Sequence, residues 1–120
     1  MKRILVIDDD IALLELIQRW LENAGYETMI ATNGMKGLET QRKNPADLII
    51  TDIFMPGREG TGLLMDVRDE FPQTKVFVIS GGGGVNGVDY LELAGLLGAN
   101  RVFKKPFERK EFMSAVQKVV

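Results

Sequence analysis

Two apolar runs in this chain stop at carboxylates. ILVI, residues 4–7, runs into Asp8, Asp9 and Asp10, and DLIIT, residues 47–51, runs into Asp52. Ionised carboxylates brought close together repel one another, and their charged form is tolerable once a cation is bound. The ligands on offer are oxygens and few, which suits Mg²⁺ keeping several waters better than a fully caged Ca²⁺. No D-x-D-x-D-G series follows Asp8, so the calcium-loop template fails as well. Asp10 has a plainer role: its carboxylate can cap a helix beginning near Ile11. Two more runs deliver polar groups. KVFVI, 75–79, leads to the hydroxyl of Ser80, and RVFK, 101–104, leads to Lys105, which Pro106 holds out of helical geometry. Singly, a serine ending a strand is a turn former and adjacent lysines are solvated charge. Their joint arrival beside an acid cluster is what points to a site.

What the chain lacks narrows the chemistry. It has no cysteine and no histidine, which removes thiolate or imidazole metal ligation and Ser-His or Cys-His catalysis. A net charge of −2 with no basic run gives no electrostatic footprint for direct nucleic-acid binding. The start, MKRILVIDDD, resembles a signal peptide only until its apolar run meets the aspartates, too soon for a secretory h-region or a membrane span. The expectation is a cytoplasmic protein away from the membrane. At 120 residues, 45% hydrophobic and 27% charged, the chain has the size and composition of one folded domain, residues 1–120.

Such a site needs elements that bring distant runs to one edge. Apolar runs at 4–7, 27–31, 47–51, 75–79 and 101–104 read as strands, and the first, third and fourth are nearly continuous, as in parallel strands covered on both faces. Helical patterns alternate with them. Leu14, Ile17 and Leu21 make one face, ending at Gly25; a second, weaker helix starts near Asn33 and closes before Pro45. Leu63, Leu64, Val67 and Phe71 make a third, stopped by Pro72; Tyr90 to Leu97 make a fourth; Phe112, Val116 and Val119 mark the last. Five βα units predict a doubly wound α/β sandwich of the flavodoxin-like type, its parallel sheet ordered 2-1-3-4-5 with helices on both faces. In that order the switch point lies between strands one and three, where Asp8, Asp9 and Asp52 would converge.

The motifs ILVIDDD, DLIITDIFMPGREG, VFVISG and GANRVFKKPF, in this order over the whole chain, resemble a two-component response regulator receiver domain of the CheY-like kind. The resemblance implies a phosphorelay protein that takes a phosphoryl group from a histidine kinase or histidine phosphotransfer protein and then changes conformation to control a protein target. It implies Asp52 as phosphoacceptor. Mg²⁺ (or Mn²⁺) would be held by Asp9, Asp52 and the backbone carbonyl of Phe54, with Asp8 acting through water. Ser80 would be the switch hydroxyl, and Lys105 would pair with an acyl-phosphate oxygen. Val102 stands where the family commonly has a rotating Tyr or Phe, and bulky Phe54 near the entrance implies slow water attack. The family's contact surface would be the fourth helix, fifth strand and fifth helix, near Tyr90, Arg101 and Phe103. The expected state is a monomer or a phosphorylation-dependent dimer. The chain reads as a stand-alone regulator, or alternatively as a receiver cut from a larger one, and as no enzyme beyond its own phosphorylation and dephosphorylation.

Other readings of the fold fare worse. Gly82, Gly84 and Gly87 in SGGGGVNG satisfy G-x-G-x-x-G, yet they follow the fourth strand, and a nucleotide or FMN loop belongs after the first, where three aspartates would repel a phosphate. An aspartyl-phosphate phosphatase wants an acid two residues after its nucleophile, and Phe54 is there. Glycines 81–84 instead suit a loop that follows Ser80 toward a phosphoryl group, with mobility at 81–87 that phosphorylation reduces.

Overall fold

The structure is a computed structural model that describes residues 2–52, 60–80, 95 and 98–120. Its strands are β1 (Arg3–Ile7), β2 (Glu27–Ala31), β3 (Leu48–Asp52), β4 (Lys75–Ser80) and β5 (Arg101–Lys104). They form one parallel sheet in the order β2-β1-β3-β4-β5, the order expected from the sequence. The central strands β1, β3 and β4 are buried almost throughout, whereas the edge strands β2 and β5 are largely open, which matches the continuous and broken apolar runs.

The described helices are α1 (Ile11–Asn23), α2 (Gly34–Lys43), α3 (Gly60–Glu70) and, following β5, α4 (Arg109–Val119). Asp10 caps α1, its carboxylate accepting from the Leu13 amide at 3.1 Å, and Asn33 caps α2 by accepting from Lys36 at 2.8 Å. Gly25 follows α1 in the left-handed region at φ 93°, where a side chain would be strained. The sheet has a core on each face. Leu5, Ile7, Ile49, Val76 and Val78 pack with Leu38 of α2 and Leu63, Leu64 and Val67 of α3. Ile4, Val6, Leu48, Ile50, Phe77, Ile79 and Phe103 pack with Leu14, Ile17 and Leu21 of α1 and Phe112, Ala115 and Val116 of α4. Helices therefore cover both faces, and the polar chemistry is left to the strand ends.

Two boundaries differ from the sequence reading in a way that matters. Asp52 and Ser80 are the last residues of their strands rather than the first residues after them, because Asp52 still pairs with Ile79 and Ser80 with Lys104. The ladder fixes both main chains, so their side chains start from rigid positions. Phe71, expected inside the third helix, lies just beyond α3, half-buried, its amide donating to the Val67 carbonyl at 2.7 Å. Most of the expected fourth helix, with Tyr90, lies outside the described residues. Its end does not: Gly98 turns at φ 98° and donates to the Gly95 carbonyl at 3.2 Å.

Candidate functional site

The carboxyl ends of β1, β3, β4 and β5 meet at one edge of the sheet. Asp8 directly follows β1, is fully buried, and is held at both ends: its amide donates to the Ala31 carbonyl at 3.1 Å, and its Oδ1 accepts from the Asp10 amide at 2.9 Å. Asp52 ends β3 and is buried as well, while Asp9 is exposed. Asp8, Asp9 and Asp52 can each place one carboxylate oxygen so that all lie within 4.8 Å of one another. These three acids were grouped by sequence alone, and the fold brings them together.

Lys105 closes the cluster. Its Nζ donates to Asp8 Oδ2 and to Asp52 Oδ2, both at 3.0 Å. Lys104, its neighbour, is exposed. The Lys105–Pro106 bond is cis, and the Lys105 amide donates to the Ser80 carbonyl at 2.6 Å. Ser80, buried at the end of β4, is thereby tied through its main chain to the residue that carries the ammonium. Behind Pro106, Phe107 packs on Phe112 and Phe103 with ring centroids 5.3 and 5.8 Å apart, and meets Trp20 edge-on at 6.5 Å. This aromatic cluster anchors the turn that aims Lys105.

Electrostatics follow from burial. Loss of water around Asp8 pushes its carboxyl up to about 6 from 3.8; the Asp10 amide and the Lys105 ammonium pull the other way and are outweighed. For Lys105, burial alone would lower its value, but hydrogen bonds to Asp52 and Asp8 prevail and raise it above 10.5, so it stays a cation. Donors that are all carboxylate oxygens, two buried and one facing solvent, suit a hard divalent ion that keeps some of its water. Asp8, Asp9 and Asp52 are the residues that would hold it.

The Phe54 carbonyl and the glycine loop at 81–87 lie outside the described residues. Val102 is 37% exposed on β5, on the opposite face from Phe103. Phe103, expected near a contact surface, is instead core at 3% exposure, because the strand's alternation turns it inward; Arg101 beside it is exposed, over the Phe103 ring at 5.1 Å. One buried polar residue next to the site escaped the sequence reading. Thr51 donates its hydroxyl to the Asp52 carbonyl at 3.0 Å, and a hydroxyl between the apolar run LII and Asp52 was the available signal.

Comparison with known proteins agrees with this geometry. The response regulator receiver domain family matches residues 4–117. Sporulation initiation phosphotransferase F of Bacillus subtilis is 32% identical over 119 residues, covering 98% of this chain and 92% of that protein. The transcriptional regulatory protein DltR of Streptococcus agalactiae is also 32% identical, over 96% of this chain, but the chain spans only 50% of its length. Among solved structures, the response regulator TrrA of Thermotoga maritima, in complex with Mg²⁺-BeF, superposes with a TM-score of 0.87 at 30% identity, each chain covered fully. The chemotaxis protein CheY4 of Vibrio cholerae gives 0.86 at 26% identity, covering 100% of this chain and 99% of that one.

Proposed function

This chain belongs to the response regulator receiver family, and we propose that it accepts a phosphoryl group on Asp52 from the phosphohistidine of a histidine kinase or histidine phosphotransfer protein. The observation that carries this reading is the Lys105 ammonium held at 3.0 Å by two buried carboxylates, with Asp9 beside them on the solvent side. In the transfer, an Asp52 carboxylate oxygen attacks phosphorus in line. The new O–P bond forms as the donor's N–P bond breaks, and the imidazole leaves with the electron pair and takes a proton. Mg²⁺ (or Mn²⁺) bound by Asp8, Asp9 and Asp52 would supply positive charge for the phosphoryl oxygens as charge spreads over them. Lys105 supplies a second positive charge and moves from Asp52 to a phosphoryl oxygen. The Ser80 hydroxyl, at the end of β4, donates to another, and that shift is the switch.

Access supports a protein donor. A groove of about 390 Å³, lined by Asp10, Leu13, Leu16, Trp20, Lys105 and Phe107, runs from Lys105 along α1, and Ile11 of the same helix is 59% exposed. An apolar face beside the acids suits a helical partner that presents its histidine to Asp52. Output would pass to a protein target in the cytoplasm, without direct contact to nucleic acid from this domain, which acts as a signalling module rather than an enzyme on outside substrates. None of the described helices is long and apolar enough to cross a membrane. Beryllofluoride with Mg²⁺ tests the site without a kinase. A bound ¹⁹F resonance is expected in wild type and its absence in Asp52→Asn; a resonance that survives the substitution rules the assignment out.

A further inference from the structure

Among the described residues the buried polar side chains are Asp8, Gln41, Thr51, Asp52, Thr74 and Ser80. Asp8, Asp52 and Ser80 belong to the site, while Gln41 bonds the Ala46 main chain and reaches Thr74, away from it. Thr51 fits neither group. It is 1% exposed and sits between Ile7 and Val78, its partners in the sheet register, on the face covered by α2 and α3. Both of those neighbours belong to the apolar core on that face, and a hydroxyl beside them costs free energy unless it is bonded. Its bond goes to the main-chain carbonyl of Asp52, at 3.0 Å. That carbonyl belongs to the peptide by which the chain leaves β3, so the bond restrains the Asp52 main chain at the point where the sheet ladder stops.

We propose that Thr51 is a positioning residue for Asp52: its hydroxyl fixes the Asp52 main chain so that the carboxylate stays aligned with Asp8, Asp9 and Lys105. Thr51 touches neither a metal nor a phosphoryl group and acts only through Asp52. The inference rests on the receiver reading of Asp52. A threonine that merely filled space would be replaced without effect on ion binding by valine, which keeps the shape and loses the hydroxyl; serine keeps the hydroxyl and loses a methyl.

Calorimetric Mg²⁺ titration of the whole chain separates these roles, with thermal melts recorded on each variant. In Thr51→Val the melt stays cooperative and the Mg²⁺ dissociation constant rises about tenfold, the lower end of what loss of an outer hydrogen bond costs a metal site. Thr51→Ser stays close to wild type. If Thr51→Val does not fold, Thr51→Ala carries the same expectation. Wild-type affinity in the hydroxyl-free variant, or equal weakening in the serine variant, overturns the positioning role while leaving the receiver reading intact. A wild-type chain that takes up no Mg²⁺ overturns both.

Discussion

At Asp8, burial and pairing act in opposite directions, and burial prevails. Its carboxyl titrates near 6 in the folded protein against 3.8 ordinarily, so folding favours the protonated form. The sign follows by linkage: the stability this group contributes is complete below about pH 4 and is lost as pH rises through about 6. At neutral pH without a metal, the ionised Asp8 therefore weighs against the fold, by at most about 3 kcal/mol from the size of that shift. Asp8→Asn should melt a few degrees above wild type in metal-free buffer at pH 7.5 and lose the wild-type response to Mg²⁺. A lower melting temperature in that variant would mean that the Lys105 pairing outweighs the burial. The same titration sets the ion's pH dependence. Protons compete for Asp8, so Mg²⁺ affinity measured by calorimetry should fall as pH drops below about 6, by up to tenfold per unit for a single proton. Affinity independent of pH between 7 and 5 would take Asp8 out of the ion's environment. Lys105, raised above 10.5, contributes stability that persists up to that value and is lost only in more alkaline solution.

Among the elements, α3 is joined by the Arg68 side chain to the turn that precedes β5. Arg68 of α3 donates through Nη1 to the Gly98 carbonyl at 3.1 Å and through Nη2 to the carbonyls of Thr74 and Pro72. Asn100 completes the corner, accepting from the Val76 amide and donating its own amide to the Val76 carbonyl, each at 2.8 Å. The helix that follows the Asp52 segment is thus fastened to the chain just before the strand that leads to Lys105. Arg68→Ala should lower stability by about 1–3 kcal/mol, since it leaves carbonyls short of donors. Gly98→Ala should cost about 1 kcal/mol or more, because φ is 98° and its Cβ would lie 3.2 Å from Arg68 Cδ. Urea denaturation measures both, and a neutral Arg68→Ala would remove the clamp from the energetics. This corner was not legible in the sequence, whereas the acids were. Asp8, Asp9, Asp52, Ser80 and Lys105 interrupt or terminate apolar runs, and period alone assigns them to strand ends. Arg68 and Thr51 act on main-chain carbonyls, and which carbonyl lies within reach depends on packing that no residue type announces.

In the whole molecule, apolar matter fills both faces of a parallel sheet and charge collects at one edge of it. The strand order was legible because continuous apolar runs mark buried parallel strands and alternation with helices leaves few topologies. The inward turn of Phe103 shows where that legibility ends, since in RVFK the alternation alone does not say which face meets the core. An ion bound only by the folded edge should stabilise the entire domain by mass action, about 2.7 kcal/mol at a concentration a hundredfold above its dissociation constant. A melting temperature that rises with Mg²⁺ in wild type and not in Asp52→Asn would show that coupling; equal rises would place the ion elsewhere. The most direct test of the phosphoacceptor assignment uses acetyl phosphate, a donor that needs no partner protein. Intact-mass measurement after incubation with Mg²⁺ should find a single added phosphoryl group in wild type, lost on chelation of the metal beforehand, and none in Asp52→Asn. Labelling that persists in Asp52→Asn, or a wild-type chain that takes up no phosphoryl group, would contradict the assignment of Asp52.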